Sequence, residues 1–361
     1  MSHLVVVAAG TGGHVMPGLA VAEALRSRGW TVSWLGTRAG MERSLVEPRG
    51  IAFDAIDFSS LRGKGIGTLL LGGLRLLRAM WQSRAVMRGR RPAVVFSTGG
   101  YVAVPAGLAA SMASVPLALL NADAAPLLST KLLRSLASVV FCGFDGVAAR
   151  IAGERGLVTG NPVRAEIAAL PPPLQRFARR DGPLKLLVIG GSLGSQVLNE
   201  TVPAALALLP AHGRPVVVHQ CGAAHAQAAQ AAYERAGVAA DVLTFIDDMA
   251  RRYGEADAVI CRAGAVTVTE LAAAGVASLL VPLVVSTTAH QRSNAEFMAG
   301  QGAAIHLPQA ELSADRLAAV LRDLSRERLL EMANKARLLG RPEATRVVAD
   351  AIEHIAREAG R

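Results

Sequence analysis

Two glycine-rich segments, half the chain apart, have the composition of phosphate-binding loops. The first reads GTGGH at residues 10–14 and the second GGSLGS at residues 190–195, and each comes between an apolar strand pattern and a helical pattern. A glycine-rich turn at the start of a helix directs backbone N–H groups and the positive end of the helix dipole at one point, which favours an anion. A purely structural turn is the alternative for either segment alone.

Neither segment is a dinucleotide fingerprint or a Walker loop. In the first, the third glycine of GxGxxG would fall on Val15, and Gly36-Thr37 stands where an acidic ribose ligand is needed. Neither segment contains the GKS or GKT of a P-loop. We therefore expect phosphate to be held without NAD and without a P-loop lysine.

A third segment, CRAGAVTVTE at residues 261–270, combines a cation, a helix start and a carboxylate. Arg262 follows an apolar strand pattern, and Thr267 and Glu270 lie one turn apart on the next helix. A forked guanidinium can neutralise a diphosphate, and a carboxylate can accept two ribose hydroxyls. The segment predicts a nucleoside diphosphate site, although Glu270 alone is also compatible with an exposed helix surface. The polar run HQRSN at 290–294 follows the next strand and suits sugar hydroxyls.

These segments need strands and helices to position them, and the apolar pattern predicts both. Runs typical of strands buried on both faces of a parallel sheet occur at 4–9, 93–96, 117–120, 139–141, 184–189, 216–219, 258–261 and 278–281. They alternate with helical patterns, of which the first is predicted to begin at Pro17. We expect an α/β fold of two doubly wound parallel-sheet domains, each binding its ligand at the carboxyl ends of the strands.

The chain is long enough for two domains. Its 361 residues, 52% of them hydrophobic and 18% charged, exceed one usual domain and argue against disorder. A Gly160-Asn161-Pro162 turn and a proline run at 171–173 mark the linker, so we expect domains at residues 1–160 and 161–340. The last helical pattern, 341–361, is predicted to return to the first domain.

The cysteines and the N-terminus favour a reducing cytoplasm. Cys142, Cys221 and Cys261 are far apart and lack CxxC spacing, which supports neither a disulfide framework nor a metal site. The chain runs into its first strand without a secretion signal. Glycine and proline interrupt the longest uncharged run, 92–122, so we predict no membrane span.

The net charge of +10 is unevenly distributed. No acidic residue occurs between Asp57 and Asp123, and the segment 62–91 in that gap interleaves arginines with leucines and Trp81. Such a segment is either an ordinary surface helix with a core-facing side or a helix on an anionic membrane surface. Three Tyr, three Trp and eight Phe offer few stacking platforms, and no nucleic-acid motif is present, so nucleic acid is disfavoured as a partner.

Seven segments appear in one order along the chain: residues 10–22, 97–110, 160–164 (GNPVR), 190–195, 245–249 (FIDDM), 261–275 and 289–295 (AHQRSNA). Together they closely resemble the MurG family, bacterial transferases that add N-acetylglucosamine to lipid-linked muramyl-pentapeptide in peptidoglycan synthesis. The resemblance implies the GT-B architecture, two Rossmann-like domains facing a cleft, with the donor on the second domain and the lipid acceptor on the first. It further implies inverting transfer from UDP-N-acetylglucosamine to the 4-hydroxyl of lipid I, giving lipid II, without a metal or cofactor.

The resemblance also implies roles for individual residues. On the donor side these are Ser192 and Arg262 for the diphosphate, the backbone of Ile246 for uracil, Glu270 for ribose, Gln291 with Asn121 for sugar hydroxyls, and Ala265, Val266, Thr267, Val268 and Thr269 for the helix end under the phosphates. On the acceptor side they are Thr11, Gly12 and Gly13, with Arg164 in the interdomain GNPVR. His14 is the only histidine in a predicted cleft loop of the first domain and is our candidate general base. The alternative for His14 is a histidine bonded to backbone at the start of a helix.

The chain departs from the family pattern before Asn121. The family usually has His-Glu-Gln-Asn, whereas this chain has Ala118-Leu119-Leu120-Asn121, and the missing Glu could have oriented or assisted a base. An acidic residue common before the His-Gln pair is also replaced, by Thr287 or Thr288, and the first glycine of the N-terminal loop is Ala9. Two other functions stay open. A non-catalytic paralogue that binds nucleotide-sugar or lipid is favoured by this loss, and a UDP-N-acetylglucosamine 2-epimerase shares the two-domain fold but is disfavoured by the loss of Glu at position 119.

The expected acceptor determines where the protein would work. A polyprenyl diphosphate cannot leave a bilayer easily, because each CH₂ brought into water costs ~0.8 kcal/mol. We therefore expect peripheral association with the cytoplasmic face of the bacterial inner membrane, through residues 69–81 and their flanking arginines.

Overall fold

The computed structural model describes residues 2–10, 12–38, 40–59, 66–146, 150, 152–178, 180–191, 193–283 and 290–360, with the backbone alone at 66–71. It forms two compact units, one of Met1–Arg164 with Pro342–Arg361 and one of Ala165–Arg341. The division falls after Arg164 and not after residue 160, because the intervening turn belongs to the first unit. There the buried Asn161 donates from Nδ2 to the carbonyl of Ala122 at 2.8 Å.

The first unit is built on a seven-stranded sheet in the order β3-β2-β1-β4-β5-β6-β7. Its strands are β1 His3–Ala8, β2 Thr31–Thr37, β3 Ala52–Ile56, β4 Val94–Gly99, β5 Leu117–Asn121, β6 Val139–Cys142 and β7 Gly156–Val158. Its first five helices are α1 Gly12–Ser27, α2 Glu42–Val46, α3 Ile66–Arg90, α4 Ala103–Met112 and α5 Leu128–Leu133. All neighbouring strands are parallel, and the chain reverses direction across the sheet between β1 and β4.

The second unit repeats this plan with a six-stranded parallel sheet in the order β10-β9-β8-β11-β12-β13. Its strands are β8 Lys185–Ile189, β9 Val216–Gln220, β10 Asp241–Leu243, β11 Ala258–Cys261, β12 Ser278–Leu280 and β13 Ala304–His306. Its helices are α6 Ala165–Ala168, α7 Pro173–Phe177, α8 Gln196–Ala207, α9 Ala226–Ala236, α10 Met249–Glu255, α11 Ala265–Ala274, α12 His290–Gly300, α13 Ala314–Arg322 and α14 Arg326–Leu339. The predicted fold class, two Rossmann-like domains with doubly wound parallel sheets, is confirmed.

The last helix, α15 Ala344–Ala359, belongs to the first unit and packs against α1. Val348 and Ile352 are fully buried on its inner face, while Arg28 forms ion pairs with Asp350 at 2.7 Å and Glu353 at 3.0 Å. The apolar face of the C-terminal pattern therefore covers α1, whose other side lies on the sheet.

The predicted start of α1 at Pro17 is wrong. The helix begins at Gly12, and Pro17 is buried inside it. Pro17 lacks the N–H that would bond to the carbonyl of Gly13, so this turn forms without one backbone bond, at a φ that proline already favours. The two glycines, which composition assigned to a loop, take up helical conformation, and His14 is therefore a helix residue rather than a loop residue.

Among the described residues, no helix is both long enough and apolar enough to cross a membrane.

Candidate functional site

In the second unit, the loop between β11 and α11 presents an unfilled helix N-terminus. Gly264 is the N-cap without a side-chain cap, the first turn carries no acidic residue, and the first helical bond runs from Val268 N to Gly264 O at 3.0 Å. The N–H groups of Ala265, Val266 and Thr267 precede that bond and have no partner within the helix. This end of α11 therefore has the geometry and the dipole to bind an anion.

Arg262 lies two residues before this N-cap and has neutral hydrogen-bond partners. Its Nη1 donates to the carbonyl of Val281 at 3.2 Å and to Oε1 of Gln309 at 2.7 Å. Burial lowers the pKa of this half-buried guanidinium, with no contribution from a neighbouring charge, yet arginine stays protonated in proteins. In the described part of the chain, the positive charge of Arg262 is thus not compensated by a carboxylate.

Glu270 is on the same helix and is 5% exposed, so an exposed helix-surface carboxylate is the wrong interpretation. The hydroxyl of the buried Tyr253 donates to Oε2 of Glu270 across 3.5 Å. Val268 and Thr269 are buried beside it. A buried carboxylate on the helix that starts at the anion site can accept hydroxyl hydrogen bonds.

Two side chains of α12 fix the loops on either side of this site. Asn294, fully buried, donates from Nδ2 to the carbonyl of Ala263 at 3.0 Å, and Oε1 of Gln291 accepts from the backbone N of Leu283 at 2.8 Å. Gln291 therefore lies at the carboxyl end of β12, where a sugar could reach it. Sequence analysis placed Asn294 in the polar run expected to face sugar hydroxyls, and the structure shows its amide bonded to the backbone of the β11–α11 loop.

The glycine-rich loop after β8 is held by Gln220. The amide of Gln220 accepts from Gly191 N at 3.2 Å and donates to Gly191 O at 3.1 Å and Thr244 O at 3.1 Å. A Cβ at Gly194, whose φ is +77°, would collide with the carbonyl of Cys221, so only glycine fits there. Ser192 lies outside the described residues.

The same amide connects the loop to the FIDDM segment. Thr244 immediately precedes Phe245, which is 61% exposed, and Ile246, which is buried. Gln220 was also missed by sequence analysis, and its signal would have been a polar residue ending an otherwise apolar strand.

In the first unit, His14 lies in the first turn of α1 against the end of β4. Its Nδ1 is 3.0 Å from the carbonyl of Thr98, and Thr98 Oγ1 donates to the His14 carbonyl at 2.6 Å. A carbonyl only accepts, so Nδ1 carries the proton, and Nε2 is the basic nitrogen of the neutral ring. A Cβ at Gly99 would contact the imidazole, so the glycine allows this approach.

The loop before His14 rests on a buried carboxylate that sequence analysis did not identify. Glu42, fully buried, accepts from Thr37 N and Thr37 Oγ1, each at 2.8 Å, and from Gly10 N at 3.4 Å. Gly12 and Gly13 are half-buried in the first turn of α1, and Thr11 lies outside the described residues. Glu42 thus connects the carboxyl ends of β1 and β2.

Asn121 organises the loop after β5. The fully buried amide donates to Asp123 O at 2.7 Å and Ala125 O at 3.2 Å, and accepts from Leu127 N at 2.8 Å. Its observed partners are therefore backbone groups of its own loop. Arg164 is half-buried at the end of the first unit.

Comparison with known proteins decides the family. Residues 4–142 match the glycosyltransferase family 28 N-terminal domain, and residues 185–355 match its C-terminal domain. The crystal structure of Acinetobacter baumannii MurG is 37% identical, with a TM-score of 0.83 over 98% of this chain and 100% of that one. The chain belongs to the MurG family of glycosyltransferases. The resemblance carried by the seven segments is thereby confirmed.

Two curated relatives of this MurG-family chain are named for the same activity. The relatives from Herminiimonas arsenicoxydans and Chromobacterium violaceum are 55% and 56% identical, each over 98% of this chain and 99% of its own length. Both are named UDP-N-acetylglucosamine–N-acetylmuramyl-(pentapeptide) pyrophosphoryl-undecaprenol N-acetylglucosamine transferase. The UDP-GlcNAc 2-epimerase from Neisseria meningitidis, covering 98% of this chain and 100% of its own, is 12% identical at a TM-score of 0.68, which shows a common fold alone.

Helix α3 of this MurG-family chain has two apolar faces. Ala79 and Met87 are buried in the core of the first unit, with Ser83 buried between them, while Leu74, Leu77 and Trp81 are 66%, 52% and 66% exposed. The ordinary surface-helix interpretation therefore accounts for only one of the two faces. The side chains of Leu69, Leu70 and Leu71 lie outside the described residues.

The arginines of α3 differ in how far their charges are compensated. Arg78 pairs with Asp57 at 3.0 Å and Arg90 with Asp54 at 2.8 Å. Arg84 instead donates to the carbonyl of Met112, a neutral partner, at 2.9 Å. The exposed apolar face thus has a net positive border.

Proposed function

We propose that this protein transfers N-acetylglucosamine from UDP-N-acetylglucosamine to lipid-linked N-acetylmuramyl-pentapeptide, converting lipid I to lipid II with inversion at the anomeric carbon. The observation that carries the proposal is Arg262, which has only neutral partners among the described residues, close to the N-terminus of α11, in a chain whose relatives are named for this transfer. The product is used in peptidoglycan synthesis, and through it in cell-wall growth, shape and division.

The donor would bind across the carboxyl ends of the strands in the second unit. Arg262 and the N–H groups of residues 265–267 would hold the diphosphate, and Glu270 would accept the ribose hydroxyls. Cations and N–H donors stabilise a leaving group most effectively when they are already in position before negative charge develops on it. Three further residues complete the proposed donor contacts: Ile246 for uracil, Ser192 for the diphosphate and Gln291 for sugar hydroxyls.

Transfer then needs a base for the acceptor hydroxyl, and His14 fits that role. As the acceptor oxygen bonds to the anomeric carbon, the bond to the β-phosphate oxygen breaks and UDP leaves with its electron pair. The hydroxyl proton passes to Nε2 of His14, the ring nitrogen that the Thr98 contact leaves unprotonated. Gly12 and Gly13, in the same first turn of α1, would approach the acceptor together with Thr11.

The absence of the usual glutamate before Asn121 is compatible with this mechanism. Position 119 is a leucine buried in β5 and packed in the core. The carbonyl of Thr98 already fixes the tautomer and orientation of His14, which is the task a carboxylate partner performs in other histidine bases. Asn121, by its loop contacts, would shape the first unit's edge rather than contact the sugar directly.

We also propose peripheral binding to an anionic bilayer through the α3 patch, defined as Leu74, Leu77 and Trp81 with Arg75 and Arg84. Exposed apolar side chains can enter the acyl boundary, and each cation near anionic lipid contributes about 1 kcal/mol. Met112, Leu128 and Leu132 extend the exposed apolar surface on α4 and α5. The proposed location is the cytoplasmic face of the bacterial inner membrane, and nucleic acid is not among the proposed partners.

One assay separates the proposed function from its rivals. The protein is incubated with labelled UDP-N-acetylglucosamine, with and without a lipid-diphosphate muramyl acceptor. UDP release that depends on acceptor supports transfer. Conversion to the manno epimer without acceptor would support the epimerase, and binding without turnover would support a non-catalytic paralogue.

A further inference from the structure

We propose that Gln309 is a positioning residue that holds Arg262 in place while leaving its positive charge available to the donor diphosphate. The proposal rests on the donor role proposed for Arg262. Gln309 begins the 3-10 turn Gln309–Glu311 after β13, and its Oε1 accepts from Arg262 Nη1 at 2.7 Å. Gln309 lies outside the seven segments that resemble the family, and it is 47 positions from Arg262 in the sequence.

The contact spans three strand ends of the second sheet. Arg262 follows β11, Val281 follows β12 and Gln309 follows β13, and the guanidinium bonds to the last two. Ligands of doubly wound sheets bind along this carboxyl edge. Gln309 therefore fixes the cation at the edge where a nucleotide would lie.

The chemistry of the pair determines which atoms face each other. A guanidinium has five N–H donors and no acceptor, so the amide must present Oε1 to it and not its NH₂. The two Nη1 donors are used by Val281 and Gln309. Among the described residues, the donors on Nε and Nη2 have no partner, and they form the side of the fork that binds two oxygens of one anion.

A neutral acceptor at this position has an electrostatic consequence. A carboxylate in the place of the amide would orient Arg262 equally well, but it would form an ion pair and reduce the attraction for a diphosphate. The acidic residue in the same turn, Glu311, is instead paired with Arg316 at 3.0 Å. The described residues thus keep acidic charge away from Arg262, and Gln309 supplies orientation without neutralisation.

The test compares Gln309→Glu with Gln309→Ala and with Ala310→Glu, an exposed neighbour that adds the same charge beside the contact. Calorimetry measures the Kd of UDP and of uridine, and steady-state assays measure KM for UDP-N-acetylglucosamine. We expect Gln309→Glu to weaken UDP binding and raise KM by about tenfold, as for a lost charge-assisted bond, while uridine affinity and Tm are kept. Gln309→Ala should give a smaller loss, and Ala310→Glu almost none.

The outcomes separate this inference from the function it rests on. Wild-type UDP affinity in Gln309→Glu, or an equal loss in Ala310→Glu, would overturn the positioning role. Loss of uridine affinity together with UDP would also overturn it, because it would indicate a general structural effect. Arg262→Ala is the reference: if it leaves UDP affinity unchanged, the donor role of Arg262 fails, and if it alone weakens UDP, only the role of Gln309 fails.

Discussion

His14 and Thr98 hold each other through two hydrogen bonds, one from each residue to the other's backbone carbonyl, at 3.0 and 2.6 Å. The pair joins the first turn of α1 to the end of β4, on either side of the point where the sheet of the first unit reverses direction. Both of these hydrogen bonds are accepted by backbone carbonyls. The contact at Nδ1 supports the base role proposed for His14 in a chain that has leucine where the family usually has glutamate.

The first prediction concerns that base. His14→Ala should lower kcat by about 10² to 10⁴, the usual contribution of a general base, while the KM for UDP-N-acetylglucosamine stays near the wild-type value because the donor contacts lie in the other unit. Steady-state kinetics at saturating acceptor measure both constants. Thr98→Val, which keeps the carbonyl and loses only the hydroxyl, is the control and should retain most activity. Near-normal turnover in His14→Ala would remove the base assignment.

The second prediction concerns stabilisation of the leaving group. Arg262→Ala should lower kcat/KM by at least about 100-fold, because it removes a fixed cation from the developing charge on UDP. Arg346→Ala is a matched control, since Arg346 is exposed on α15 and pairs with Glu343 at 2.8 Å. An Arg262→Ala enzyme as active as the wild type would contradict the role of Arg262.

Parts of this site that are formed by consecutive residues could be predicted from the sequence, and contacts between residues far apart in the chain could not. Local patterns predicted β11 at 258–261 and the helix that follows, because an apolar run or the start of a helix can be recognised from a few consecutive residues. Gln309, Gln220 and Glu42 were not predicted, because their roles depend on which strands become neighbours in the sheet. The start of α1 was missed for a different reason: glycine composition indicates a turn, and packing of the helix on β1 and β4 outweighs that preference.

The third prediction concerns the membrane. Replacing Leu74, Leu77 and Trp81 by Ser, or Arg75 and Arg84 by Glu, should strongly reduce co-sedimentation with vesicles containing anionic lipid, and salt should weaken wild-type binding by screening over ~8 Å at 0.15 M. Leu76 is not included, because it packs on the core of the first unit. Arg235→Glu, exposed on α9, is the matched charge control. Unchanged binding in both patch variants would make α3 an ordinary packing helix.

The fourth prediction concerns acid stability. His219 is fully buried, its Nδ1 lies 2.8 Å from the Tyr233 hydroxyl, and burial lowers its pKa from 6.5 to about 4. The unfolded chain therefore binds this proton at higher pH than the folded one, so stability is complete above pH 6.5 and falls by up to about 3 kcal/mol as the pH drops to 4. Urea unfolding at pH 7.5 and 5 measures the slope.

The matched variant for this effect is His219→Gln, which keeps a hydrogen-bond partner for Tyr233 and removes the titrating ring. It should unfold with a smaller dependence on pH between 4 and 6.5 than the wild type. An equal slope in the two proteins would assign the acid sensitivity to other groups.

The anomeric configuration of the product tests the central claim most directly. Labelled UDP-N-acetylglucosamine and a lipid I acceptor are incubated with the protein. NMR determines the anomeric configuration of the new glycosidic bond, and the released UDP is quantified in parallel. We expect one UDP to be released per disaccharide formed, release only in the presence of acceptor, and an anomeric configuration opposite to that of the donor. Retention of the donor configuration, or turnover without acceptor, would contradict it.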